Sequence, residues 1–207
     1  MESLVKKPVI IYAESTPNPS SMKFVANMML VEGGGTAQYL SKAETKDAPL
    51  AAKLFEFPFV KAIFLASNFV TVSKIDAIQW EDITLELRDF IRTYISDGNP
   101  IITAMPTTEV PVDNTFTEKK EVFTEHVAPA NEIEVKIVET LEQYIRPAVE
   151  GDGGSITFKN YTDGVVTVQM RGACSGCPSS TITLKAGIEA VLKKMVPEVT
   201  SVVAEAM

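Results

Sequence analysis

The chain has 207 residues, with 27 acidic against 19 basic side chains and a formal charge of −8 at pH 7. That balance excludes phosphate-backbone binding as a main task, since binding nucleic acid takes a dense basic patch, and the longest basic runs here are pairs such as Lys193-Lys194. No segment approaches the ~20 apolar residues of a membrane span, and the start lacks the apolar core of a signal peptide, so a cytoplasmic protein without nucleic-acid or membrane partners is expected.

In chain order, Val9 to Ala13 and Met22 to Ala26 read as short strands across the turn-rich Ser15-Thr16-Pro17-Asn18-Pro19-Ser20. Pro49 to Phe55 reads as a helix, and Val60 to Leu65 with Phe69 to Ser73 as a strand pair. Trp80, Ile83, Leu87, Ile91 and Tyr94 then draw one apolar stripe along a helix that Asp97-Gly98-Asn99-Pro100 stops. Trp80 is expected to anchor the edge of that core.

Residues 99–130 change character. Pro100, Pro106, Pro111 and Pro129 recur among Thr, Glu and Asp without sustained periodicity. This reads as an acidic, Pro-rich linker that holds the halves apart and free to reorient, with His126, the only histidine, as a solvated residue within it. The predicted organisation is thus α+β: two small α/β domains, residues 1–98 and 131–207, joined by the linker 99–130.

The second domain reads as α-β-β-α-β. Ile133, Ile137, Leu141 and Tyr144 fall at helical spacing, and Pro147 marks the expected end. Gly151-Asp152-Gly153-Gly154 is a turn, after which Ile156 to Lys159 and Val165 to Met170 form a hairpin. A helix from about Ser179 carries Leu184, Ile188, Val191 and Met195, and Val199 to Ala204 is a final strand.

Between hairpin and helix stand the only two cysteines, Cys174-Ser175-Gly176-Cys177. Gly172 and Gly176 allow a tight bend and close approach to a bulky group, and Pro178 suits a first helical turn. The helix start is expected to lower the thiol pKa values, with Ser175, Ser179, Ser180 and Thr181 as candidate donors to sulfur. In a reducing compartment such a pair is a redox dithiol, half of a metal site, or incidental. A thioredoxin-like pair belongs near a βαβ unit, whereas this one follows a hairpin. Two thiolates cannot complete a four-thiolate site, but a two-fold axis that duplicates the loop supplies four. Zinc across the same axis remains chemically possible.

Ile145-Arg146-Pro147, Gly151-Asp152-Gly153-Gly154, Gly172 through Thr181, Leu184-Lys185-Ala186-Gly187-Ile188-Glu189 and Val196-Pro197-Glu198-Val199 strongly resemble the NifU C-terminal (Nfu-type) domain. Thr16-Pro17-Asn18-Pro19, Met22-Lys23-Phe24, Leu54-Phe55-Glu56 and Trp80-Glu81-Asp82 are more loosely similar to the domain that precedes it in many Nfu proteins. The resemblance implies an iron–sulfur cluster scaffold or carrier without turnover chemistry. In it Cys174 and Cys177 bind a 4Fe–4S cluster bridging a homodimer, received from an upstream assembly donor and passed to apo iron–sulfur proteins. A thiol–disulfide oxidoreductase using the same pair is the enzyme alternative, and a zinc-linked dimer the structural one.

Overall fold

The computed structural model describes residues 8–31, 35–104, 126–175 and 178–206, with backbone alone for 178–181 and 206. Its first half is a five-stranded antiparallel sheet in the order β1-β2-β5-β4-β3, built from β1 (Ile11–Ser15), β2 (Ser21–Ala26), β3 (Thr36–Tyr39), β4 (Val60–Ala66) and β5 (Phe69–Lys74). Alternation sends Phe24, Ile63, Leu65, Val70 and Val72 to one face, where α1 (Pro49–Leu54) and α2 (Trp80–Ser96) cover them. Ile83, Leu87, Ile91 and Ile95 are the buried stripe of α2. Trp80 sits at the rim of this core and donates from Nε1 to the Pro19 carbonyl at 2.9 Å, as an edge anchor should. The opposite face of the sheet is also buried: Val25, Phe64, Ala66 and Phe69 form a separate small cluster beside Ser21, Lys23 and Thr71.

The second half comprises α3 (Glu132–Thr140), a π turn (Leu141–Ile145), α4 (Arg146–Gly151), β6 (Gly154–Thr162), β7 (Val165–Gly172), α5 (Pro178–Met195) and β8 (Ser201–Ala206). The Asn131 side chain accepts from Glu134 N at 2.9 Å and caps α3. Pro147, expected as the helix end, is instead absorbed: the preceding turn widens to the π form, which accommodates a residue without an N–H, and helix continues to Gly151. A two-residue turn, Asp163-Gly164 with φ of 49° and 83°, closes the β6–β7 hairpin. β7 then pairs parallel with β8 through α5, so the loop after β7 opens a βαβ crossover. The expectation that the cysteine loop lies outside such a unit is overturned, because β8 returns beside β7 rather than forming a further hairpin.

Residues 105–125, most of the expected linker, lie outside the described residues. Its described ends lie against the two halves. Thr103 N donates to Asp47 O at 2.8 Å, and Val127 N to Phe158 O at 3.0 Å. Nor are the halves held apart. Asn18, Lys23, Gln38 and Thr71 of the first bond to backbone of the second.

His126 is likewise not solvated. Its side chain is 2% exposed, and Nδ1 accepts from Phe158 N at 2.7 Å, satisfying an amide on the outer edge of β6. The other nitrogen, Nε2, therefore carries the proton and meets the Glu142 carboxylate, which Arg146 Nη2 also approaches at 2.6 Å. Burial alone would raise the Glu142 pKa, but the His126 hydrogen bond and the Arg146 charge outweigh it and hold the carboxyl below its ordinary value of 4.5. A depressed carboxyl contributes stability that is full above its unfolded pKa and lost as pH falls through the folded one. Stability measured by urea denaturation is therefore expected to fall below about pH 4.5, and Glu142→Gln to flatten that slope. Glu150, raised by burial, works the other way and partly offsets the parent slope.

Candidate functional site

Two backbone turns meet at the cysteine loop. Gly153 (φ 81°) ends the turn after α4, and Gly172 (φ 71°) ends β7. Ala173 N donates to Gly153 O at 3.1 Å, tying the turns together. Ser175 N and Oγ both donate to Gly172 O, at 3.1 and 2.9 Å, and close the bend. Among the described residues Ser175 thus bonds to backbone, where a bond to sulfur is expected from the sequence. Cys177 lies outside the described residues, as do the side chains of Ser179, Ser180 and Thr181.

Cys174 is a free thiol, 4% exposed, and belongs to the core of the second half with Ile145, Ile188 and Met170. Its Sγ lies 2.8 Å from where a side chain on Gly154 would begin, so only glycine fits there. The expected lowering of the thiol pKa is not what this environment produces. Burial, and then the Asp152 carboxylate, push Cys174 up to about 12. The helix start is outweighed because the sulfur is turned inward, away from water. In this arrangement Cys174 is a protonated, shielded thiol, neither a nucleophile nor a ready metal ligand.

Beside it runs an apolar groove of about 580 Å³ between the α3–α4 arm and α5, with Cys174, Ala148, Leu184 and Val191 in its walls. Tyr144, expected in the core stripe, is 49% exposed and stands at this groove, and Pro17 of the first half also borders it. Among the described residues no group of three His, Cys, Asp or Glu side chains converges to hold a metal ion. A metal centre at Cys174 therefore needs ligands from outside the described part of this chain.

The first half meets the loop on both sides. Gly172 N donates to Gln38 Oε1 at 2.7 Å, and Asn18 Nδ2 donates to Ala173 O at 3.1 Å. Thr71 Oγ1 donates to Gly153 O at 2.7 Å, and Lys23 Nζ to Gly151 O at 3.3 Å. Sequence reading missed these residues. Their signal was a second apolar set, Val25, Phe64 and Phe69, on the strand face that does not meet the helices, which marks that face as covered.

These features define a class: a two-domain α+β protein with a free thiol at the mouth of a βαβ crossover. The chain matches the family model "Scaffold protein Nfu/NifU N terminal" over residues 11–98 and "NifU-like domain" over residues 137–203. "NFU1 iron-sulfur cluster scaffold homolog, mitochondrial" of Drosophila persimilis is 36% identical over 203 residues, covering 98% of this chain and 67% of that one. The Drosophila willistoni protein of that name is 36% identical over 197 residues, 95% of this chain and 64% of its own. The chain thus spans about two thirds of these relatives. A NifU-like protein from Saccharomyces cerevisiae overlays 50% of this chain and 92% of its own, at 22% identity and a TM-score of 0.43. The chain belongs to the Nfu/NifU iron–sulfur cluster scaffold family.

Proposed function

We propose that this protein receives a 4Fe–4S cluster between two subunits, held by Cys174 and Cys177 of each, and delivers it to apo iron–sulfur proteins. The observation that carries the reading is a free Cys174 on a glycine-bounded loop within the NifU-like domain, where no set of three metal-ligating side chains converges among the described residues. Half a ligand set per chain makes the second subunit a requirement, and four thiolates are the set that cubane clusters take. The cluster is cargo. Acceptor thiolates exchange for these ligands one at a time, each step trading one iron–thiolate bond for another without net oxidation.

The domain division 1–98, 99–130 and 131–207 belongs to this proposal, with the second unit carrying the cluster. An upstream donor loads it. The thiols require a reducing compartment. The relatives' names carry a mitochondrial location in place of the cytoplasmic one expected from the sequence, and we take the organelle as the reading they favour. The thiol–disulfide oxidoreductase loses its main sequence counter-argument with the βαβ placement, but the matched family models and relatives carry scaffold names, which favour the cluster reading.

Anaerobic reconstitution with iron and sulfide tests the proposal. About one cubane per two chains, with dimerisation on loading, is the expected result. A colourless product with zinc, or reversible disulfide exchange without iron, would sink it.

A further inference from the structure

We infer that the first domain is a clamp on the cysteine loop: docked, it holds Cys174 turned into the core of the second domain, and its release frees the loop to take a cluster. The inference rests on the proposed cluster site and adds the regulation of that site.

Among the described residues, the side chains of Asn18, Lys23, Gln38 and Thr71 bond to backbone of the two turns that frame Cys174. Gln38 and Asn18 take Gly172 N and Ala173 O, the two residues immediately before the sulfur. Thr71 takes Gly153 O, which also receives Ala173 N, so one carbonyl links the first domain, the glycine turn and the loop. These bonds fix the backbone leading into Cys174 in the arrangement that buries its sulfur.

The glycines point the same way. A side chain on Gly153 would run into Thr71 at 2.9 Å and Thr16 at 3.3 Å, and one on Gly172 into the Phe64 ring at 2.9 Å. The close approach that these glycines permit is made by the sheet of the first domain. That packing, like the hydrogen bonds, is lost when the sheet leaves, so release frees both turns to move.

The contact is built to open. On the first domain's side Phe64, clustered with Val25, Ala66 and Phe69, supplies apolar surface at Gly172, while Asn18, Lys23, Gln38 and Thr71 supply polar contacts that water can replace. It is bracketed by the groove at Cys174 and by a second crevice of about 450 Å³ that reaches Gly172 and Ser175 from the Gln38 side. Lys23, over the Phe69 ring at 4.7 Å and paired with Glu14 at 3.3 Å, keeps partners within its own domain when it leaves Gly151.

The test uses the full chain with Cys177→Ser, so that Cys174 is the sole thiol, and follows alkylation by N-ethylmaleimide by intact mass. The folded parent should react at least about tenfold more slowly than the urea-unfolded chain. Adding Asn18→Ala with Gln38→Ala, or separately Thr71→Arg to press against Gly153, should raise the rate several-fold while circular dichroism shows both still folded. In protein with both cysteines the same changes should speed cluster uptake. An unchanged alkylation rate in a folded Thr71→Arg chain would overturn the clamp, as would a parent that reacts like the unfolded chain. Failure of every variant to load a cluster would instead remove the proposed function, and with it the regulatory meaning. That outcome is read in the reconstitution assay, independently of the alkylation.

Discussion

Serine in place of Cys174 is expected to leave anaerobic reconstitution without bound cluster and without the cluster-dependent dimer. A serine hydroxyl is a poor ligand for iron beside thiolates, and losing one donor per chain removes two of the four that a shared cubane needs. The control matters because Cys174 is 4% exposed in an apolar core. A hydroxyl placed there without a hydrogen-bond partner costs about 1–3 kcal/mol, enough to blur a binding result with partial unfolding. Cys174→Ala avoids that penalty and should fold more stably than the serine variant while losing the cluster just as fully. Cys177→Ser should match both in iron content. Iron loading that survives in any folded variant of the three would remove the half-site argument.

The helix and strand pattern of both halves was largely legible because alternation and 3–4 spacing record burial directly, as in Val70-Val72 or Ile83-Leu87-Ile91. β3 was missed: Thr36-Ala37-Gln38-Tyr39 is short and carries no apolar run, and its pairing with β4 is a tertiary decision. Pro147 was misjudged because a π turn can absorb a proline, which local preference does not encode. The position of the cysteine loop was visible, but its electrostatics were not. A helix start argues for a lowered thiol pKa only if the sulfur faces that start and water, and here it faces Gly154 and the core. The covering of His126 and of the outer sheet face also escaped, since both depend on segments distant in sequence. In each case the deciding contacts come from tertiary neighbours, such as β4 for β3 or Glu142 and Phe158 for His126, that the local sequence does not name.

Gly172→Ala is expected to lower stability by about 2–5 kcal/mol, a large share of the 5–15 kcal/mol typical of a domain. A left-handed residue with a Cβ costs roughly 1–2 kcal/mol, and Gly172 has a φ of 71°. The added methyl would also sit 2.7 Å from Gly153 O and 2.9 Å from Gly154 Cα. Gly154 is paired with Gly172 in the β6–β7 ladder and Gly153 O accepts from Ala173 N and Thr71 Oγ1, so relief demands backbone movement, adding about 1–3 kcal/mol of overpacking. The Phe64 ring, 2.9 Å away, can shift more cheaply, but doing so loosens the interdomain contact. Gly151 stands in the neighbouring turn and supplies the comparison: nothing lies within 4 Å of its would-be Cβ, and it closes a helix without a positive φ. Gly151→Ala should therefore be neutral or stabilising by up to about 1 kcal/mol. Urea denaturation of the two variants decides the point, with a large drop in midpoint for Gly172→Ala and none for Gly151→Ala. Equal effects would mean that the turns are not held in the geometry that brings Gly153, Gly154 and Gly172 against one another around Cys174.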